Sequence, residues 1–140
     1  MAKSSRVLAD AGVIVALVRP RDQWHQWTVK AATQLSPPFY TCEVVIAEAC
    51  FLVRDLWPAQ QRILGMLGDG FLKVEFSITT ELERVNALMG KYSDLPMSLA
   101  DSCLVRMSEL YDDATVFTVD QDFLIYRKHG RKKIPLISPF

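Results

Sequence analysis

The sequence predicts an α/β fold in three layers: a mostly parallel, twisted sheet of four to five strands with helices on both faces. Three observations predict it. Short apolar runs alternate with longer stretches of helical periodicity along the whole chain. The runs in "RVLAD" and "ATVFTVD" are nearly continuous, as strands covered on both faces must be. Breaks and capping residues fall between the two kinds of stretch. With 140 residues the chain has the size of one domain, spanning residues 1–140, and half of it is hydrophobic, enough for a substantial core.

From the N-terminus, "RVLAD" (Arg6 to Asp10) reads as a buried strand, and Gly12 to Val18 as a short helix after a tight turn. "PRDQWHQWTVKAATQL" reads as a second helix with Pro20 and Asp22 near its start. "PPFYT" is a break followed by a very short strand. "EVVIAEACFLVRDL" is apolar nearly all round, which predicts a deeply packed helix. Pro58 opens the next helix, which runs through Leu67 and is ended by Gly68 and Gly70. "FLKVEF" alternates and reads as a strand. "TELE" (Thr80 to Glu83) reads as a capping box opening a helix to about Tyr92. "DLP" is a loop. "SLADSCLVRMSEL" is a helix with Leu99, Ala100, Cys103, Leu104, Met107 and Leu110 on its apolar positions. "ATVFTVD" is a strand, "QDFLIY" a turn or short helix, and "KIPLIS" a last strand.

Composition narrows the function. Sixteen basic and sixteen acidic residues give zero formal net charge, which disfavours a protein that holds a polyanion by bulk charge. A polyanionic partner then needs a local patch or a bound cation. The one basic cluster is "YRKHGRKK" (Tyr126 to Lys133), which is otherwise a solvated turn. Three cysteines, an odd number with no paired spacing, fit buried thiols in a reducing compartment. "MAKSSRVLADAGVIVALVRP", with Lys3 and Arg6 before its apolar run, imitates a signal peptide. Asp10 interrupts that run, and the remainder is too short to span a bilayer. The expectation is a cytoplasmic protein with no membrane association.

Four carboxylates occupy positions where apolar residues would pack better. Asp10 and Asp120 end buried strands; Glu48 and Asp101 interrupt apolar helices. Each has an ordinary explanation: Asp101 completes a Ser-x-x-Asp capping box with Ser98, Asp10 and Asp120 cap the helical segments after them, and Glu48 faces solvent. Glu81, Glu83, Asp112 and Asp113 lie where a solvated surface is expected. An alternating α/β chain can nevertheless bring all four to one sheet edge, beyond the strand carboxyl ends where such folds bind ligands. Carboxylates held that close repel and raise one another's pKa values. A hard divalent cation with oxygen ligands, Mg2+ or Mn2+, relieves this. The chemistry then inferred is metal-assisted hydrolysis of a phosphodiester.

The stretches "VLADAGVIVALVRPRDQWHQW", "VVIAEACFLV", "DLPMSLADSCLV" and "VFTVDQDFLIYR" cover nearly the whole chain. In this order they resemble the PIN-domain ribonucleases, of the kind found as the toxin of VapBC toxin–antitoxin pairs. The resemblance implies that Asp10, Glu48, Asp101 and Asp120 form the catalytic, metal-binding set, with Asp122 contacting metal through water or only capping its turn. It implies Mg2+- or Mn2+-dependent cleavage of RNA, a homodimer, and an antitoxin tail that blocks the site. Ala11 and Gly12 stand where many members carry Ser or Thr after the first aspartate, and Ser98 where some carry an acid. Thr118 is placed to orient the Asp120 carboxylate.

The resulting expectation is a metal-dependent endoribonuclease, with Arg127, Lys128, Arg131, Lys132 and Lys133 tracking the RNA backbone. The alternative is a non-catalytic PIN-like module that binds RNA or protein. A phosphoacceptor receiver is disfavoured: Asp10 is a lone acid after the first strand, and "KIPLIS" ends without the lysine that class needs. Trp24 and Trp27 read as packing or dimer-interface residues before base-stacking ones, and His25 as surface. Met89, Met97 and Met107 read as core or interface filler.

Overall fold

Each apolar run expected to be a strand contains one, two or three residues long. The structure is a computed structural model that describes residues 6–140; Lys3 lies outside them. The elements are β1 (Val7–Ala9), α1 (Ala11–Val18), α2 (His25–Thr33), β2 (Phe39–Thr41), α3 (Glu43–Leu52), α4 (Trp57–Gly68) and β3 (Leu72–Val74). They continue as α5 (Ile78–Lys91), α6 (Leu99–Leu110), β4 (Thr115–Phe117), a 3-10 turn (Gln121–Leu124), β5 (Arg127–Lys128), β6 (Lys132–Lys133) and β7 (Leu136–Ile137).

Five strands form one sheet in the order β3-β2-β1-β4-β7, and every neighbouring pair is parallel. Leu8 pairs with Tyr40 on one side and Val116 on the other. The chain steps outward from β1 through β2 to β3, then returns across the sheet to β4. The strand order therefore reverses between β1 and β4, which opens a crevice at their carboxyl ends. Leu8, Phe39, Leu72, Val116 and Phe117 are buried at the sheet. The Phe117 ring packs against Phe39 and Trp27, each with centroids 5.8 Å apart, so Trp27 does serve the core. Met97 and Met107 are buried, and Met89 packs against the same core.

Several elements differ from the sequence reading. The second helix starts only at His25, because Asp22 takes the Trp24 N–H into a local turn at 2.8 Å. His25 is half-buried and donates from Nδ1 to the Ala16 carbonyl at 2.6 Å. α5 begins at Ile78, capped by Ser77 rather than Thr80, with a break in helical geometry at Glu81. On α3 only one stripe, including Val45, Ile46 and Ala49, is covered, while Phe51 and Leu52 are exposed. In α6 Leu99 and Leu110 are exposed, while Ser102, Ser108 and Glu109 are buried because each finds a polar partner inside. The basic cluster folds as an antiparallel hairpin, β5–β6. Its turn needs positive φ at His129 (52°) and at Gly130 (82°). No helix among the described residues is long and apolar enough to cross a membrane.

Candidate active site

Two parallel neighbours end side by side, and that places the first two acids together. The Asp10 N–H continues the β1–β4 ladder to Phe117 O at 3.1 Å. Asp10 is also the N-cap of α1, its Oδ1 accepting the Ala11 N–H at 2.7 Å. Its Oδ2 accepts the Thr118 hydroxyl at 2.6 Å, and the residue is buried. Gly12 is dictated by the same closeness: a Cβ there would lie 2.9 Å from Val119 Cγ2. The missing hydroxyl at positions 11 and 12 therefore leaves neither oxygen of Asp10 without a donor.

Thr118 does not orient the Asp120 carboxylate. Its single hydroxyl hydrogen goes to Asp10, and its oxygen accepts the Asp120 N–H at 2.9 Å. The Asp120 carboxylate instead caps the 3-10 turn, accepting the Asp122 N–H at 2.9 Å. Asp101 arrives from the first turn of α6. Ser98 caps that helix by accepting the Asp101 N–H at 3.0 Å, which is the backbone half of the expected capping box. The side-chain half is absent. Asp101 Oδ2 turns inward and accepts the hydroxyl of buried Tyr126 at 2.9 Å.

One oxygen from each of Asp10, Asp101 and Asp120 lies within 4.8 Å of the other two. Glu48, from α3, and Asp122 line the same open cavity of about 340 Å³, with Leu52 and Pro96 adding apolar wall. A larger hollow along α5 holds Glu81, Arg84 and Arg106, but there Glu81 is already paired with Arg106, and Arg84 with Glu109.

The cavity acids are electrostatically uncompensated. Burial, reinforced by the charge on Asp101, pushes Asp10 up to about 7 despite the bonds from Thr118 and Ala11. Burial also pushes Asp101 up to about 6, against the Tyr126 hydrogen bond and with help from Asp120 and Glu48. Glu48 and Asp122 are raised by burial and by the charge on Asp120. Among the described residues, no ion pair includes any of these five acids. An all-oxygen donor set with unbalanced negative charge fits a hard divalent cation such as Mg2+ or Mn2+.

The basic hairpin divides. Arg131, Lys132 and Lys133 are exposed. Arg127 is committed to the fold, donating from Nη1 to the carbonyls of Leu124, Ile125 and Tyr126 at 2.8–3.1 Å. Lys128 is buried, since β5 packs against α6. A phosphate-tracking role does not fit those two positions.

Two important residues carry little mark in the sequence. Tyr126 reaches Asp101 across 25 positions, which no local spacing encodes. Glu109 lies in "VRMSEL", where only the nearby Arg106 hints at a pair. Its buried carboxylate accepts from Arg84 (2.9 and 2.7 Å), Arg106 (3.3 Å) and the His129 N–H (2.7 Å). Arg106 also bonds Glu81 at 2.6 Å, so Glu81 is half-buried rather than on a solvated face.

A family model described as the PIN domain matches residues 7–128. No curated protein matches the sequence. Among solved structures, the VapC20 toxin of Mycobacterium tuberculosis, a sarcin–ricin-loop-cleaving toxin, aligns with a TM-score of 0.75 at 14% identity. The alignment covers 83% of this chain and 91% of that one. At that identity the likeness is one of fold.

Proposed function

Because this chain belongs to the PIN-domain family, we propose that it is a Mg2+- or Mn2+-dependent endoribonuclease, a VapC-type toxin working as one domain. One observation carries the reading: three aspartate oxygens within 4.8 Å of one another, buried or half-buried, none of them in an ion pair among the described residues. A cation bound there would supply an activated water and neutralise charge developing on the scissile phosphate.

The chain's own residues prepare that site. Asp10 is oriented by the Ala11 N–H and by Thr118. Asp120 is oriented by the Asp122 N–H. Glu48 presents its carboxylate from α3 on the cavity wall. Asp122 shares that wall without a fixed ligand role. The exposed Arg131, Lys132 and Lys133 are left to follow an RNA backbone.

The substrate class is RNA. The likeness to a sarcin–ricin-loop-cleaving toxin makes a ribosomal stem-loop the first substrate to offer. A cytoplasmic location, a homodimer and an inhibitory antitoxin belong to the same reading. Exposed Phe51, Leu52, Leu56, Trp57 and Leu64 on and between α3 and α4 support association with a partner surface.

The test is RNA cleavage with Mg2+ or Mn2+ against EDTA, comparing wild type with Asp10→Asn and Asp101→Asn. Metal-dependent cleavage lost in both folded variants is the expected result. A folded wild type that cuts no structured RNA and is not stabilised by Mn2+ would favour the non-catalytic module instead.

A further inference from the structure

Tyr126 is more than a core aromatic. Its ring is buried between Tyr92 (centroids 5.1 Å apart) and Phe123 (5.2 Å), both edge-on. A phenylalanine would fill that slot equally well. Among the described residues, the hydroxyl has one partner, Asp101 Oδ2 at 2.9 Å. Of the side chains that donate to the Asp101 carboxylate, Tyr126 and Ser98, Tyr126 has the stronger effect. A phenolic hydroxyl carries its proton at neutral pH, so it serves Asp101 as a donor.

The backbone that carries Tyr126 is held from several directions. The Tyr126 N–H bonds Asp122 O at 3.2 Å, and the next N–H, of Arg127, bonds the Tyr92 hydroxyl at 2.9 Å. The Arg127 guanidinium ties down the three preceding carbonyls. At the hairpin tip, Glu109 takes the His129 N–H at 2.7 Å and Lys91 Nζ donates to Gly130 O at 2.9 Å. The ring therefore cannot swing away from Asp101 without undoing the hairpin.

The other two clustered aspartates are oriented by groups close to the strand ends: Ala11 and Thr118 for Asp10, Asp122 for Asp120. Asp101 stands on a different element, α6, and its neighbour Ser98 accepts its backbone N–H and assists its carboxylate only weakly. Without an outside donor the carboxylate would be free to rotate or to turn back to the helix end.

We propose that Tyr126 is a positioning residue of the acidic centre: its hydroxyl fixes one oxygen of Asp101 so that the carboxylate stays turned towards Asp10 and Asp120. This rests on the metal-binding reading above and deepens it. Groups that orient a metal ligand contribute to affinity even though they never touch the cation.

The test is a Mn2+ titration of the 140-residue chain by calorimetry, for wild type, Tyr126→Phe, Asp101→Asn and the double variant, with urea unfolding of each metal-free protein alongside. Tyr126→Phe is expected to weaken Mn2+ binding about tenfold or more, and RNA cleavage is expected to return at saturating Mn2+. In the Asp101→Asn background the same change is expected to add no further loss, because the two residues act as one unit. Equal Mn2+ affinity in wild type and folded Tyr126→Phe would overturn the proposal. So would a full additional loss in the double variant. If Tyr126→Phe is too unstable to titrate, the Mn2+ dependence of cleavage decides: an unchanged half-saturating concentration overturns the proposal. Absence of Mn2+ binding by wild type would overturn the metal reading itself, and this inference with it.

Discussion

Thr118 and Asp10 lie 108 positions apart and are joined by a 2.6 Å hydrogen bond between the ends of two neighbouring parallel strands. Thr118→Val keeps the shape and removes the donor. An ionised, buried Asp10 would then lose a charge-assisted bond, costing about 1.5–3 kcal/mol. Urea unfolding of the metal-free protein above the Asp10 pKa checks this. Mn2+ affinity is expected to fall about tenfold in the same variant; an unchanged affinity would remove Thr118 from the site.

The acidic centre sets an unusual pH dependence. Asp10 and Asp101 titrate near 7 and 6 in the folded chain, against an ordinary 3.8. Between those values the folded state binds more protons than the unfolded one. Their contribution to stability is therefore full below about pH 4 and is lost as pH rises to about 7. In EDTA the urea midpoint is expected to fall from about pH 5 to about pH 7.5, and Asp10→Asn to flatten the fall. Mn2+ is expected to raise the melting temperature more at the higher pH, where fewer protons compete for the oxygens. A midpoint in EDTA that climbs over that range would contradict the assignment.

Glu109 works in the opposite sense. Burial opposes its ionisation, but the bonds from Arg84, the His129 N–H and Arg106 prevail and hold it at about 2, below the ordinary 4.5. Its stabilisation is present above about pH 4.5 and lost as pH falls towards 2. Glu109→Gln is expected to cost about 2–3 kcal/mol, below the full penalty of a broken buried pair because both arginines remain partly exposed. Faster proteolysis around His129 to Lys133 is the accompanying sign that the hairpin has loosened.

The two halves of the basic cluster are expected to behave differently. Replacing exposed Arg131, Lys132 and Lys133 together by alanine is expected to leave unfolding nearly unchanged. It should lower the slope of log affinity for single-stranded RNA against log salt by about 2. Arg127→Ala is expected to destabilise the protein instead, because its guanidinium holds three carbonyls. An unaltered salt slope in the triple variant would leave RNA binding to another surface.

Gly12→Ala tests the crowding at the β1–α1 turn. The added methyl meets Val119 Cγ2 at 2.9 Å, on a side chain that is stiff about its first torsion. Destabilisation of about 1–3 kcal/mol is expected, with weakened Mn2+ binding because Val119 adjoins Asp120. A neutral thermal melt would show that the turn has room to give.

Much of this protein was legible along the chain. Alternating strands and helices, each with its own period, specify a covered parallel sheet. The four acids out of place on apolar elements identify one edge of it, because isolated carboxylates are costly in a core and so stand out against their neighbours. Local rules also located the helix ends at Ser98 and Asp10, since a cap involves residues a few positions apart.

Tertiary structure alone decided what those rules left open. On α6 Leu99 is exposed although its period placed it inside, and Glu109 is buried because Arg84 from α5, Arg106 from α6 itself and the His129 N–H from the hairpin tip converge on its carboxylate. Phe51 and Leu52 are as apolar as Val45 and Ile46, and only packing separates the covered stripe from the bare one. Asp101 finds its buried hydroxyl donor in Tyr126, which reaches it from beyond β4. Periodicity and capping act over a few residues and can be read from sequence; the partner of a buried polar group is chosen by the fold, over any distance in the chain.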